Sequence, residues 1–361
     1  MDFEKITIII ILIILLSSFL LVNPAYNKES TDLSLVSHVK HIAKEIGPRP
    51  AGSESERETA HYLKSKFDAY GVKTEIQGFK YYSMDSKDIK RSENVIGTIN
   101  GTSPKQIIIC ADLDTYYDKI NGNYIEGAND DATGLALLIG LAKHYQQKKP
   151  YYTIKLIGFG AGEDEYTFPV DLNSKNSSDE YNKIIFIPYL VGARHYVLQN
   201  PDSVNNTIAV ISLEAVGIGD PCFVNQDSFV ENDPLFVNFL VSNTRFNGFN
   251  AEKIDFMAYN ISGREVSISH IYLPFAYSNI PSTFLTCMEN ANTKSMIHDN
   301  SEIPGYLTVN DTYKNLVKNN GDEIGLQNHL NTVFNIVTIN IDQMSVFYAL
   351  KEHLPVNEAP I

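Results

Sequence analysis

Residues 106–114 decide the fold, and they read Gln106-Ile107-Ile108-Ile109-Cys110-Ala111-Asp112-Leu113-Asp114. The stretch from Gln106 to Ala111 is apolar almost throughout, which predicts a strand buried on both faces. Two carboxylates follow it at once. Because ligands of open α/β sheets bind at the carboxyl ends of the strands, the residues after each apolar run are the ones to inspect for function.

Strands and helices alternate on both sides of this strand. Patterns of apolar residues predict the further strands Val72–Phe79, Val95–Ile99, Thr153–Phe159, Thr207–Leu213 and Ser282–Cys287. Helical spacing predicts the helices Leu33–Ile46, Glu54–Tyr70, Ala132–Tyr145, Pro234–Thr244 and Gln327–Leu350. Residues 164–189 are predicted to form an inserted surface loop, and residues 291–308 an irregular stretch. This order predicts an α/β fold, a three-layer sandwich around a central mixed, mostly parallel sheet.

Composition excludes several classes of protein. The chain has 361 residues, 43% of them hydrophobic, and can bury a full core without covalent staples. Its formal charge of −14, with no basic block, excludes a nucleic-acid partner, because phosphate contacts need clustered Lys and Arg. The three cysteines, Cys110, Cys222 and Cys287, are too few for a disulfide framework or a thiolate metal site and allow at most one disulfide.

The amino terminus carries an uncharged apolar run, Ile6–Val22, just long enough to cross a thin bilayer. It is either an uncleaved anchor or a cleaved signal peptide. We favour the anchor, because no clear pair of small residues marks a cleavage site around Asn23-Pro24-Ala25. Residues 1–30 are therefore expected to be the membrane segment and linker, and residues 31–361 a single extracytoplasmic domain. Cleavage would instead make the protein secreted.

Acidic residues recur at the predicted strand ends. Asp112 and Asp114 follow the first strand, Glu163 and Asp164 follow the next, and Glu214 follows Thr207–Leu213. Taken singly, each is more typical of a helix cap or a solvated loop. Carboxylates gathered at one sheet edge repel one another unless they are protonated or bridged by a cation, so together they indicate a metal site.

Four motifs resemble those of the co-catalytic zinc aminopeptidases, the family of bacterial leucyl aminopeptidases, glutamate carboxypeptidases and glutaminyl cyclases. They are, in the family's order, Gly47-Pro48-Arg49-Pro50-Ala51-Gly52-Ser53, Gly127-Ala128-Asn129-Asp130-Asp131-Ala132-Thr133-Gly134, Gly192-Ala193-Arg194-His195-Tyr196 and Thr308-Val309-Asn310-Asp311-Thr312. The resemblance runs from about Leu33 to the carboxyl terminus. It implies a zinc-exopeptidase-like fold, with Asp130 as the carboxylate that bridges two metals.

Several positions depart from the family pattern. Asp112-Leu113-Asp114 stands where the family has His-x-Asp, and Glu214 replaces an Asp. Ungapped alignment puts Gly162-Glu163 at the family's Glu-Glu pair of base and ligand. A shift of one residue instead makes Glu163 the base and Asp164 the ligand.

The last ligand position and a nearby polar stretch also depart. The family's last histidine ligand is Leu307 here, and His298 replaces it only if residues 299–307 are an insertion. The family's Ser-Asp-His-x-Pro-Phe stretch appears as His270-Ile271-Tyr272-Leu273-Pro274-Phe275.

The resemblance therefore implies a particular set of site residues. The metal ligands would be Asp112, Asp130, Glu163, Asp164, Glu214 and His298, and the catalytic residues Glu163 and Asp114, the latter orienting its neighbour. Zinc is the metal that the family implies. A set made of carboxylates alone suits manganese, magnesium or calcium better, or the site holds none.

The expected function is that of a membrane-anchored, extracytoplasmic metallo-exopeptidase, aminopeptidase-like, that hydrolyses peptides with a metal-activated water. The alternative is a catalytically inactive ectodomain that binds a protein partner, which the changes at Asp112, Gly162, Tyr272 and Leu307 favour. Cyclotransferase chemistry on a single metal is a third option.

Overall fold

The computed structural model describes residues 34–83, 86–118, 121–168, 183–188, 190–261, 264–291 and 294–353. The apolar run Ile6–Val22, and with it the predicted division near residue 30, lies outside these residues. Among the described residues, no helix combines the length and apolar character needed to cross a membrane.

The five predicted helical segments are helical among the described residues, and further short helices lie between them. In chain order they are α1 (Ser34–Lys40, continued by a π-helical turn, His41–Ile46), α2 (Glu54–Ala69), α3 (Ala132–Gln147), α4 (Val191–Gln199), α5 (Pro201–Asn206), α6 (Pro234–Phe246), α7 (Leu273–Ala276), α8 (Tyr313–Asn319), α9 (Glu323–Asp342) and α10 (Met344–His353). The predicted long carboxyl-terminal helix is two helices, with Gln343 between them.

The strands fall into two larger sheets and one short hairpin. They are β1 (Lys73–Ser83), β2 (Asp88–Ile99), β3 (Ser103–Asp112), β4 (Tyr117–Asp118), β5 (Asn123–Tyr124), β6 (Tyr152–Phe159), β7 (Glu165–Phe168), β8 (Lys183–Pro188), β9 (Thr207–Leu213), β10 (Asp220–Asp227), β11 (Glu252–Phe256), β12 (Ala258–Ile261), β13 (Arg264–Ser267), β14 (Ser282–Met288) and β15 (Ile297–Asp299).

The main sheet has eight strands in the order β1-β2-β6-β3-β9-β14-β10-β11. Its centre, β6-β3-β9-β14, is parallel, as is the pair β10-β11. The pairs β1-β2, β2-β6 and β14-β10 are antiparallel. The prediction of a mixed, mostly parallel sheet is therefore confirmed.

Strand β3 shows why the sheet is covered on both faces. Ile107 and Ile109 pack into a core shared with α2, α3, α6 and α9. Ile108 and Cys110, which point the other way along the strand, pack into a second core shared with α4, α7 and β12. The pleat alternates side chains between faces, so a strand that is apolar at every position needs a layer on each side. This is the predicted three-layer sandwich.

The second sheet, ordered β15-β12-β13-β8-β7, corrects one prediction. Residues 164–189, predicted as a loop, contain β7 directly after Asp164 and β8 before α4. Tyr166-Thr167-Phe168 and Ile184-Ile185-Phe186-Ile187 are β-branched and aromatic, the residue types that favour strands. The Asn- and Ser-rich residues between them dominate the composition, and they obscured the two short strands. Within 291–308, the residues that the structure describes (291 and 294–308) are irregular apart from the short strand β15.

The three cysteines are buried and free. Cys110 lies on β3, Cys222 on β10 and Cys287 on β14, so each thiol fills a place in the main sheet. The single disulfide that the sequence allowed does not form.

Candidate metal centre

Four acidic residues meet at the carboxyl edge of the main sheet. Asp112 ends β3, Glu163 follows β6, Glu214 follows β9 and Asp130 precedes α3. Asp112, Asp130 and Glu214 are all more than nine-tenths buried. Burial raises the pKa of Asp112 well above its usual range, and the charges of Glu163 and Glu214 raise it further. Glu163 and Glu214 therefore lie close enough to Asp112 to oppose its ionisation.

Asp112 presents an oxygen without a partner. Its backbone N–H donates to Asp131 Oδ2 at 3.1 Å, whereas its own buried Oδ1 has no hydrogen-bond partner among the described residues. A Cβ atom at Gly162 would stand 1.9 Å from this Oδ1. The absence of a side chain at Gly162 therefore leaves space for the Asp112 carboxylate.

The Gly127–Gly134 loop places Asp130 and Asp131 in different roles. Asp131 caps α3, with Oδ1 accepting from the backbone N–H of Gly134 at 3.0 Å. Asp311 holds the loop from outside, since its two carboxylate oxygens accept from the N–H groups of Asn129 at 2.6 Å and Asp130 at 3.0 Å. The Asp130 side chain lies within reach of the charge of Glu214. Burial, then the charges of Asp311 and Glu214, raise its pKa well above the usual range.

Asp114 and Asp164 lie beside the centre but are engaged elsewhere. Asp114 accepts from the backbone N–H groups of Gly162 at 2.8 Å and Glu163 at 2.9 Å, so it holds the loop that carries Glu163. Burial raises the pKa of Asp114 to about 6. Asp164 faces the β1-β2 hairpin, where its Oδ1 lies 3.4 Å from Ser83 Oγ and 3.6 Å from Lys90 Nζ. Of the two acids in this loop, Glu163 is the one whose charge acts on Asp112.

Glu214 uses both of its carboxylate oxygens. Oε1 accepts from Ser212 Oγ at 2.9 Å, and Oε2 pairs with His270 Nδ1. Burial lowers the pKa of His270, but the Glu214 carboxylate outweighs it, and the net pKa is raised. The sequence comparison treated position 270 only as a place where the family's polar residues are missing. The histidine in this stretch was the sequence feature that could have indicated a further site residue.

His298 lies apart from these acids. It sits on β15, where Nδ1 faces Glu302 Oε2 at 2.9 Å and Nε2 donates to the backbone oxygen of Asp255 at 2.9 Å. Both ring nitrogens therefore face protein acceptors, and the structure does not bring His298 into the acidic cluster.

Tyr306 is a residue of the centre that the sequence did not indicate. It is buried, and its pKa is raised far above the usual value by burial and by the charges of Asp130, Glu214 and Glu163. It precedes Leu307, the residue at the family's last histidine position, whose φ of 55° is in the left-handed region. The turn therefore brings a phenol, rather than an imidazole, near the acids.

Two buried side chains from the Gly47–Ser53 region and the start of α2 tie the acidic loops together. The Arg49 guanidinium donates to the backbone oxygens of Leu113 at 3.1 Å, Glu126 at 2.9 Å and Gly127 at 3.0 Å. Burial lowers the pKa of Arg49 to about 10, although the negative charges of nearby acids, Asp311 most strongly, act to raise it. It is the cation built into this cluster.

Glu56 holds the loop before Glu163 in place. Its Oε1 accepts from the backbone N–H of Ala161 and from Ser92 Oγ, both at 2.7 Å. Burial, followed by the charge of Asp114, raises the pKa of Glu56 to about 8. The helix that follows the Gly47–Ser53 motif is thereby fastened to the centre.

The donor types at the centre suit a divalent cation. Asp112, Asp130 and Glu163 offer carboxylate oxygens, Asp112 Oδ1 is buried without a partner, and the charge of Glu214 raises the pKa of both Asp112 and Asp130. Across the described ranges, no group of three or more His, Cys, Asp or Glu side chains is already arranged around a metal position. The residues fit a cation by their chemistry and their convergence.

Sequence comparison identifies the family. Residues 94–329 match the profile of Peptidase family M28, which covers more than half of the chain and includes Asp112, Asp130, Glu163 and Glu214. A curated relative, the alkaline phosphatase isozyme conversion protein of Escherichia coli (strain K12), is 26% identical over 205 residues. That match covers 53% of each protein, so the chain spans about half the length of this relative.

Solved structures share the fold. A glutaminyl cyclase of Bacteroides thetaiotaomicron, bound to N-acetylhistamine, has a TM-score of 0.62 at 20% identity and covers 84% of this chain and 96% of its own. A zinc aminopeptidase from Bacillus subtilis has a TM-score of 0.61 at 12% identity and covers 86% and 95%. At these identities the likeness shows the fold alone.

Proposed function

Because the chain belongs to Peptidase family M28, we propose that it is a metal-dependent exopeptidase, aminopeptidase-like, that acts on peptide substrates. The observation that carries the proposal is the convergence of buried Asp112, Asp130 and Glu214 with the half-buried Glu163 at one sheet edge, with Asp112 Oδ1 unsatisfied.

Each acid has a place in the proposed site. Asp130 would be the shared ligand, Asp112 and Glu214 would serve one side of it, and Glu163 the other. When bound, a divalent cation supplies Lewis acidity for attack of water on the peptide carbonyl. Zinc is the first expectation from the family, and the oxygen-rich donors also suit manganese, magnesium or calcium.

Glu163 is the acid placed to hold a proton during hydrolysis. Asp114 fixes the backbone of this residue, and Gly162 carries no side chain to share the task. Asp164 Oδ1 contacts the β1-β2 hairpin, which makes Glu163 the stronger candidate of the two acids, either as the base or as a ligand of the cation. The two roles predict different results when the carboxylate is replaced.

The experiment compares metal content with hydrolysis of aminoacyl-anilide substrates, after loading with zinc, manganese or cobalt. Asp130→Asn should abolish tight metal binding, because it removes an anionic ligand. If Glu163 is the base, Glu163→Gln should keep the metal while turnover falls by roughly two to four orders of magnitude. If Glu163 is a ligand, metal occupancy should fall with activity.

A second function, peptide binding without hydrolysis, is favoured by Gly162. In the ungapped register the family's base would stand at this position, where a Cβ atom would overlap Asp112 Oδ1. A folded, metal-supplemented protein with no turnover on any tested peptide, and unchanged by either substitution, would support this second function.

For the amino terminus, membrane anchoring by Ile6–Val22 and an extracytoplasmic domain stay part of the proposal. The uncharged apolar run supports them. Amino-terminal sequencing of the mature protein tests them, since a chain beginning near Tyr26 would indicate a cleaved signal peptide and a secreted protein.

A further inference from the structure

His270 has one ring nitrogen engaged and the other enclosed without a partner. The residue is 2% exposed, and Nδ1 pairs with Glu214 Oε2. Its Nε2 is buried and has no hydrogen-bond partner within the described part of the chain. In a neutral imidazole that donates from Nδ1, Nε2 carries a lone pair. Buried polar atoms are rarely left unpaired, so this unpartnered nitrogen requires an explanation.

The bond to Glu214 gives the ring the arrangement of a metal-binding histidine. Such histidines commonly donate their other ring N–H to a carboxylate, which fixes the tautomer and makes the free nitrogen a better donor. The contrast with His298 is direct, because both of its ring nitrogens face protein acceptors. His270 is therefore the better candidate metal ligand of the two histidines.

The segment that carries His270 runs beside the unsatisfied oxygen of Asp112. The Cβ position of Gly162 lies 1.9 Å from Asp112 Oδ1 and 3.4 Å from Ile271 Cγ2. The Glu214 charge acts on both Asp112 and His270. Asp112 and His270 are thus both neighbours of the Glu214 carboxylate. Each of them has one buried polar atom without a partner, Oδ1 in Asp112 and Nε2 in His270.

We infer that His270 Nε2 is the imidazole ligand of the centre. Glu214, which the proposed function gives a ligand position beside Asp112, would then orient this ring instead of binding the cation itself. This inference rests on the proposed metal-dependent function. His270 would supply the imidazole that is missing at Leu307, the position of the family's last histidine ligand. An imidazole among the carboxylates shifts the preference of the site from magnesium or calcium towards zinc.

The surroundings of the ring keep it in this orientation. Phe284 stacks on it with ring centres 3.9 Å apart, and Phe256 meets it edge-on at 5.6 Å. A flip of the imidazole ring would break its hydrogen bond to Glu214, and the two aromatic side chains restrict such a flip. The orientation of His270 Nε2 as a metal ligand is therefore fixed before any cation binds.

The test substitutes His270→Asn, with His298→Asn as the matched control at another buried histidine. Asparagine can keep an N–H group near the position of Nδ1, but it has no counterpart to Nε2. Zinc content after dialysis, and the rise in unfolding temperature on adding zinc, report binding without recourse to activity. Wild type and His298→Asn should retain zinc and the temperature rise, and His270→Asn should bind zinc at least about 10-fold more weakly.

The outcomes separate this inference from the function on which it rests. Equal zinc affinity in wild type and His270→Asn would overturn the inference alone. A wild-type protein that binds no zinc, manganese or cobalt would overturn both. Should His270→Asn fail to fold, X-ray absorption of wild-type protein with one equivalent of zinc decides. Imidazole scattering is expected, and scattering from oxygen ligands only would overturn the inference.

Discussion

The Asp114 carboxylate accepts a hydrogen bond from the backbone N–H of Glu163 at 2.9 Å, so an acid that follows β3 fixes the acid that follows β6. The two strands are parallel neighbours in the main sheet. Residues 49 positions apart in sequence are thereby held in one loop arrangement. This contact makes Asp114 a positioning residue for Glu163.

We expect Asp114→Asn to destabilise the protein by about 1–3 kcal/mol, because the amide group has one acceptor oxygen where two N–H donors need partners. Urea unfolding measures the change. Asp202→Asn, at an exposed position on α5, is the control and should stay within about 0.5 kcal/mol of wild type. An equal effect of the two substitutions would contradict the assigned role.

Gly162→Ala should be destabilising by roughly 1–3 kcal/mol, because the added Cβ would overlap Asp112 Oδ1. The cost should largely disappear in an Asp112→Ala background, which a double-mutant cycle by chemical unfolding would measure. Gly78→Ala on β1 is the matched control, since nothing lies within 4 Å of its Cβ position. Additive costs of Gly162→Ala and Asp112→Ala would show that the two positions do not compete for space.

Stability without metal should fall as pH rises from about 5 to 8. The pKa of Glu56 is raised from 4.5 to about 8, and that of Asp311 from 3.8 to about 7. In this window the folded state holds protons that the unfolded state has released, so each rise in pH favours unfolding. Urea unfolding in a chelator across this range measures the slope. Glu56→Gln should flatten it, and an unchanged slope would exclude Glu56 as a contributor.

Arg49→Met should cost roughly 3–5 kcal/mol, because it leaves the backbone oxygens of the acidic loops without their donor and the buried acids without their cation. Arg57→Met is the control. Arg57 is exposed and pairs with Glu54 at the surface, so its loss should cost less than about 1 kcal/mol. Thermal or urea unfolding compares them, and similar costs would argue against Arg49 as the anchor.

Much of the fold was predictable from local patterns. The apolar run at 106–111 specified a strand buried on both faces, and Ser53 with Glu56 marked the start of α2, where Ser53 Oγ accepts from the Glu56 N–H at 3.1 Å. The short strands β7 and β8 were missed. They flank a polar stretch and are paired through residues distant in sequence, as β8 is with β13.

For the site, the sequence by itself determined which acids follow which strands, because the parallel strands bring their carboxyl ends to one edge. It did not determine what each carboxylate oxygen binds. Asp164 faces Lys90, both nitrogens of His298 are engaged, and His270 pairs with Glu214 only because β9 and the segment before α7 meet in space. Hydrogen-bond partners depend on distances of a few tenths of an ångström between side chains far apart in the chain. Only the tertiary structure decides those distances.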